Sequence, residues 1–597
     1  MKQETRNCQN CTQSFVIEPD DFAFYEKMKV PAPTWCPGCR MQRRMVWRNE
    51  RALYRETCAQ CGAATLSVYA PGHLFPVYCH DCWKSDAWDA IAFGRDYDFS
   101  RPFFTQFREL LAEVPCQAVF LIDVVSSPYA NFAAWGKNLY LSYSTLDSEN
   151  VFYSKIVGEK SHNVFDSYDA NSCENCYEVN QGDRNYHTAF MLNSRDCMDS
   201  AFLYNCANCK HCFMSANLRN SENVFRGVKY SKEEYDAKMS GEKLGSFRSL
   251  ERLKGEFATL RATSLHRFAN IVKSVDATGN DLLNAKNVRG AFSGFNLENI
   301  KHLFRGFNDK DSQDIIHSQQ VERVYEYVSG GARDSTGLLF SMNCSGNSQE
   351  LIYTAFCSKS SHLFGCIGLR NKQYCILNQQ YTKEEYEALV PKIITHMNEM
   401  PYVDAKGRVY RYGEFFPSEL SPFAYNETIA QEYFPLTKDE ALAQGYRWKD
   451  PDTKEYKITI KPETLPDHIT DVTDDILKET IGCAHAASPA GGCNHQCTTA
   501  FKVIPEELKF YQRMNLPLPR LCPNCRHYER LSQRNPLKLW HRTCQCAGTK
   551  SDNALYQNTV AHEHHQGDHC PNEFETSYAP NRKEVVYCEQ CYNAEVV

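Results

Sequence analysis

A chain of 597 residues is too long for one hydrophobic core, so several domains are expected. Its formal net charge of −7 argues against a generally basic coat for nucleic acid. With a mean hydropathy of −0.54 and no apolar run near the ~20 residues of a bilayer span, a membrane protein is also excluded. The start, Met1 to Cys8, carries no apolar signal core. A soluble cytoplasmic protein is therefore expected, whose 29 cysteines stay reduced and whose paired spacings mean metal rather than disulfides.

The chain opens with two zinc-ribbon patterns, over 1–57 and 58–93. Cys8-x2-Cys11 is followed by Cys36-x2-Cys39, then Cys58-x2-Cys61 by Cys79-x2-Cys82. Each knuckle brings two thiolates to one ion, and two knuckles complete a tetrahedral four-sulfur site. Arg40, Arg44, Arg48, Arg51 and Arg55 follow at helical spacing and predict one guanidinium face. Such a face could track phosphates. The plainer reading is that such arginines pair with the acidic stretch of their own ribbon, Glu18 to Asp21 here or Glu506 and Glu507 in the C-terminal copy.

An amphipathic helix is expected within 94–115, around Pro102, Phe103, Phe107, Leu110 and Leu111, covering the front of a repeat array. In that array, over 116–229, the sequence repeats about every 12 residues. Aromatics recur from Tyr140 through Phe152, Phe165, Tyr177, Phe190, Phe202 and Phe213 to Phe225. A small apolar residue precedes each, and a polar one, most often asparagine, comes before that. This predicts short strands stacked into a parallel β-solenoid with asparagine ladders. A coil of two units, about 24 residues, is plausible, and a single-unit coil stays open. Cys173, Cys176, Cys206, Cys209 and Cys212 look like a further metal site. Cys173 and Cys209 share one repeat phase with Cys197, and Cys176 shares another with Cys212, so repeat geometry already explains them as small buried residues.

A helical connector (230–263) leads to a second array over 264–380, marked by Val288, Ile300, Val324, Leu351, Leu363 and Cys375. Leu218-Arg219-Asn220 before Tyr230-Ser-Lys-Glu-Glu-Tyr235 recurs as Leu369-Arg370-Asn371 before Tyr381-Thr-Lys-Glu-Glu-Tyr386, so each array ends in a capping-box helix, the second over 381–398. The stretch 399–480 reads as an ordered connector, with a helix opened by Thr437, running into an acidic linker from about Pro466 to Lys478.

Two more ribbons close the chain, over 481–543 and 544–597. Cys497 to Tyr511 matches Cys11 to Tyr25 without a gap, Cys522-Pro-Asn-Cys525-Arg526 matches Cys36-Pro-Gly-Cys39-Arg40, and Arg526, Arg530 and Arg534 repeat the arginine offsets. Cys493 with Cys497, Cys522 and Cys525 forms the third expected site. Cys544, Cys570, Cys588 and Cys591 form the fourth, with Cys546 open as a substitute for Cys544. His562, His564, His565 and His569 could also substitute, although a solvated insertion explains them. About four Zn2+ per chain are expected, with iron as the alternative, since four thiolates accept both. With every ligand position filled by protein, these sites would be structural.

The Phe-Tyr-x-Lys/Arg-Met spacer before each Cys-Pro-x-Cys-Arg knuckle, Gly94-Arg-Asp-Tyr-Asp-Phe99-Ser-Arg-Pro102, the Asn-Cys-Tyr-like repeats and the stretch from Tyr425 to Pro435 together resemble an uncharacterised bacterial zinc-ribbon/repeat family of small-genome uncultured bacteria. The resemblance spans nearly the whole chain and implies no activity. Members sometimes carry a CaiB/BaiF (CoA-transferase) label. No residue pattern here supports a Rossmann-type CoA site, and the repeats argue against one.

The function these features favour is a non-catalytic zinc-binding scaffold that binds nucleic acid or a protein complex through its ribbon ends, with no small-molecule substrate evident. The alternative is a carbohydrate-active enzyme using a side cleft of the solenoid, with Asp166, Asp169, Asp196 and Asp199 as candidate carboxylates.

Overall fold

The computed structural model describes residues 2–328, 333–450, 456–486, 496–548, 550–551, 556–565 and 569–597. Strands dominate, and the cysteine clusters stand at both ends of the chain. No helix among the described residues is long and apolar enough to cross a membrane.

Two stacks of parallel strands, arrays A and B, form the centre. In array A, Leu139 pairs in parallel with Val151, Val151 with Val164, and Val164 with Cys176. One repeat of about twelve residues is therefore one rung, and the 24-residue coil is not what forms. The backbone shows how so short a coil closes. Asn138, Leu141, Ser144, Asp147 and Asn150 all have φ between 44° and 55°, a corner at every third residue. Twelve residues thus turn four corners. Asparagine and aspartate tolerate this left-handed conformation better than other side-chain-bearing residues, which accounts for their phase in the repeat. At the corners they also bond along the axis. Asn138 donates to Asn150 (2.7 Å) and Asn163 to Asn175 (3.0 Å).

Between corners one residue per side points inward, as at Leu139, Ser142, Thr145 and Ser148, all buried. Four short sides leave a narrow interior that admits only modest side chains. Serine and cysteine fill it in the same way, donating to the carbonyl two residues back. Ser215 Oγ does so to Phe213 at 2.9 Å, Cys212 Sγ to Lys210 at 3.3 Å and Cys173 Sγ to Asn171 at 3.2 Å. The array cysteines are thus buried thiols seated at serine-like positions.

Array B is built alike, with Asn284 donating to Asn296 and Asn296 to Asn308 (2.7 and 2.8 Å), and with Leu351, Leu363 and Cys375 in successive rungs. Each array ends in a short antiparallel pair and then a helix, Lys232–Ser240 or Lys383–Glu399. Both helices have a complete capping box, Ser231 with Glu234 and Thr382 with Glu385.

The two halves of the chain exchange partners. The helix Phe103–Glu113, expected to cover the front of array A, packs instead on array B, with Phe103 against Tyr353 and Phe364 at ring distances of 5.2 and 5.4 Å. Reciprocally, the helix Phe247–Thr263, which leads into array B, lays Phe257 against Phe202 of array A (5.7 Å). The ribbons cover the leading rungs. Val77–Tyr78 pairs in parallel with Cys116–Gln117 at the start of array A, and Val585–Tyr587 with Leu265–Arg267 at the start of array B. These additions cover open strand edges that would otherwise recruit other chains. The expected acidic linker is a packed strap. Ile469, Val472 and Ile476 are buried in the cluster that joins array A to the third ribbon.

Candidate metal centres, the arginine face and the inter-array cleft

The four cysteine groups are assembled by one local design. A short strand leads into the first knuckle, and the third cysteine of each group, Cys36, Cys79, Cys522 or Cys588, is the N-cap of a helix, where the dipole favours a thiolate. Within each group all four sulfurs lie within 4.8 Å of one another. Cys11 to Cys36 is 3.8 Å, Cys61 to Cys79 is 3.9 Å, Cys522 to Cys497 is 3.9 Å and Cys570 to Cys588 is 3.9 Å. A tetrahedral ion with metal–sulfur bonds of ~2.3 Å requires sulfur–sulfur edges of about 3.8 Å, so the residues fit a metal ion. Backbone N–H groups aim at the sulfurs, with Cys79 N 3.3 Å from Cys58 Sγ and Cys588 N 3.2 Å from Cys544 Sγ. Burial works against the Cys58 thiolate, but the N–H groups of Cys79, Cys61 and Gln60 bring it down to about 6.

Cys8, Cys11, Cys36 and Cys39 form one group, and Cys58, Cys61, Cys79 and Cys82 the second. In the third, Cys497, Cys522 and Cys525 come together as expected, while Cys493 lies outside the described residues. The fourth sulfur there belongs to Cys483, 3.8 Å from Cys525. The signal for it was present: Ile481–Gly482 leads into Cys483 and pairs with the next strand, as Glu4–Asn7 does before Cys8. An insertion between Cys483 and Cys497 hid the match. The fourth group is Cys544, Cys570, Cys588 and Cys591. Cys546 stands aside from it, next to His562 and His565, which are buried rather than solvated.

The arginine face is not a surface. The helix Pro37–Met45 ends before Arg48, and Arg40, Arg44 and Arg48 are buried against acidic partners. Arg40 bonds Asp314 of array B through Nε (3.0 Å) and Nη2 (2.8 Å). Arg44 reaches Asp314 (3.0 Å) and Glu326 (3.2 Å), and Arg43 reaches Glu326 (2.7 Å) and Glu414 (2.8 Å). Arg48 pairs with Glu50 at 2.5 Å, and half-buried Arg51 lies 3.8 Å from Glu432. The C-terminal copy repeats this on array A. Arg526 and Arg530 share Asp166 at 2.5 and 2.7 Å, and Arg534 lies over the Tyr168 ring at 4.4 Å. The plainer reading, pairing within the ribbon, holds for Arg526 with Glu507 (3.4 Å), whereas Asp21 bonds Lys301 of array B (2.7 Å). Arg40 and Arg44, and Arg526 and Arg530, expected to track phosphates, therefore anchor the first ribbon to array B and the third to array A. Burial pushes the Asp314 carboxyl upward, but the charges of Arg40 and Arg44 outweigh it and hold the group at about 2.

Sequence reasoning missed the space between the arrays. Two cavities of about 470 and 780 Å³ share Trp135, Leu146, Arg305, Phe307, Gln319 and Arg333, so they form one cleft. Of the carboxylates proposed for a side cleft, only Asp169 lines it. Asp166 is taken by the arginines, Asp196 by Arg184 (2.6 Å) and Asp199 by His187 (2.8 Å). Arg305 is 5% exposed and is not ion-paired to any described residue; its Nη1 has no hydrogen-bond partner.

No family model and no curated protein matches this chain. Among solved structures, a protein of Desulfovibrio desulfuricans G20, provisionally assigned as an acetyltransferase, aligns at 8% identity over 49% of this chain and 74% of its own, with a TM-score of 0.10. That likeness carries no argument about fold or activity.

Asp314→Asn leaves Arg40 and Arg44 short of a buried charge, at an expected cost of about 3–5 kcal/mol to ribbon docking. Limited proteolysis should then release the N-terminal ribbons while array A stays protected. Because the folded Asp314 pKa lies below the ordinary carboxylate value of ~3.9, its stabilisation is present above about pH 4 and fades as pH falls towards 2. The melting-temperature gap between wild type and Asp314→Asn should narrow over that window. Cys525→Ser should lower metal content and expose the third ribbon to protease while leaving the first two intact, as metal analysis of the full chain will show.

Proposed function

We propose that this chain is a non-catalytic, zinc-stabilised β-solenoid scaffold whose binding surface is the cleft between the two arrays, taking an extended anionic ligand, a single-stranded nucleic acid. The observation that carries this reading is Arg305. A guanidinium buried to this degree is costly without an anion beside it, and this one faces the part of the cleft common to both cavities. Phe307 lies 5.4 Å beneath it, and Trp135, 47% exposed, offers a further ring. Arginines interleaved with aromatic faces bind phosphates and stack bases without reading sequence. Zinc is the metal that best suits four closed, redox-neutral thiolate sites. The sites would stiffen the ends and leave the chemistry of recognition to the arrays. In a reducing, cytoplasmic setting the thiolates of the four groups would stay available to metal, and paired groups at both ends suit kinship with the zinc-ribbon repeat proteins this sequence resembles.

A second reading is favoured by one observation. Burial pushes the Asp281 carboxyl up to about 6, and the nearby charge of Asp169 adds to this. A carboxyl of raised proton affinity beside a second carboxylate in one cleft suits general acid–base chemistry on a glycan.

The test is binding of fluorescent single-stranded DNA and RNA to the full chain at increasing salt. Affinity should fall steeply with salt and drop at least ~10-fold in Arg305→Ala, with at least four zinc ions per chain by metal analysis. Binding untouched by Arg305→Ala would overturn the cleft. Glycan hydrolysis lost in Asp281→Asn would move the protein to the second reading.

A further inference from the structure

The insertion that separates Cys544 from Cys570 has no counterpart in the N-terminal copy, where only two residues lie between Cys58 and Cys61. It brings Cys546, His562 and His565 to Cys591, and one ligand atom from each lies within 4.8 Å of the others. We propose that this ribbon holds a second divalent metal ion, bound by Cys546, His562, His565 and Cys591, with the Cys591 thiolate bridging it to the ion of the four-cysteine site.

The distances support coordination. His562 Nδ1 is 3.2 Å and His565 Nε2 3.4 Å from Cys546 Sγ, and His565 Nε2 is 3.5 Å from Cys591 Sγ. A tetrahedral ion with bonds of ~2.3 Å to sulfur and ~2.0–2.1 Å to nitrogen sets nitrogen–sulfur edges of about 3.5 Å. One nitrogen of each imidazole faces the centre, and the other nitrogen of His562 is already committed. His562 Nε2 lies 2.9 Å from Glu595 Oε1, and both side chains are fully buried. A carboxylate on the outer nitrogen is the arrangement that fixes a metal-bound histidine in one tautomer and orientation. Glu595 is itself held by the insertion, accepting from Tyr556 Oη (2.7 Å) and Thr559 N (2.9 Å). Asn558 Nδ2 donates to Cys546 Sγ at 3.1 Å, the kind of contact that stabilises a thiolate.

Charge favours two ions over one. A lone divalent ion in a four-thiolate site leaves two net negative charges in a buried cluster. Two ions sharing five thiolates and two neutral imidazoles leave one. Cys544 and Cys546 are both fully buried, and each belongs to a complete four-ligand set, the two sets sharing only Cys591, so they are not alternatives for a single position. All four positions of the second ion are filled by protein, so it staples the insertion to the ribbon and activates no water.

The test is metal analysis of the full chain beside His562→Ala and Cys546→Ser, with cobalt(II) substitution. Each variant should lose one ion relative to wild type and keep the rest. A thiolate bridge couples two cobalt ions antiferromagnetically, so wild-type cobalt protein should show a depressed magnetic moment that both variants restore. Should a variant fail to fold, the wild-type moment alone decides. An uncoupled moment in wild type, or variants with unchanged metal content, would overturn the proposal.

Discussion

The structure depends on charges buried between the ribbons and the arrays. Arg40, Arg43 and Arg44 meet Asp314, Glu326 and Glu414 in a site sealed from water, and Arg526 and Arg530 meet Asp166 in another. Such pairs add little net stability over an apolar contact, but breaking one strands a charge in a low dielectric. Their effect here is specificity. A ribbon seats only where one to three carboxylates wait in the right places, so each end of the chain finds the array of the opposite half. Lys155, between Glu50 and Glu432 at 2.7 and 2.5 Å, extends the same logic into the centre.

This constraint explains why the arrays can be so slender. A coil of about twelve residues has an interior that admits only modest side chains such as valine, leucine, serine, threonine or cysteine, so it buries modest apolar area on its own. Its stability has to come from outside. Helices Phe103–Glu113 and Phe247–Thr263 and the ribbons supply the larger aromatic and aliphatic side chains, as where Phe510 stacks on Phe165 at 3.8 Å. A sulfur cluster that holds a ribbon in shape therefore also holds an array in shape, since the helix bearing the arginines begins at a cysteine of that cluster.

The exchange of partners leaves one surface uncommitted. Ribbons and helices cover the leading rungs and outer flanks, while the facing walls of the arrays stay apart and form the cleft. Arg305 there differs from Arg40, Arg44, Arg526 and Arg530, which all meet carboxylates within the molecule.

Much of this was legible in the residues themselves. The knuckle spacings, the asparagine phase and the capping boxes at Ser231 and Thr382 are local, because a metal site, a left-handed corner and a helix start are each decided within a few residues. Seven of the eight cysteines expected in ribbons 3 and 4 meet in four-sulfur groups, and the helix period of the arginines was correct as far as Met45. What spacing could not carry was the destination of those arginines, since Asp314 lies 274 residues beyond Arg40 and nothing near either residue records the meeting. The same reason hid Cys483 behind an insertion, made the segment 466–478 look like a linker, and left the cleft unseen. Local chemistry determined the parts; burial, which depends on distant chain, decided which charges face solvent and which hold the molecule together.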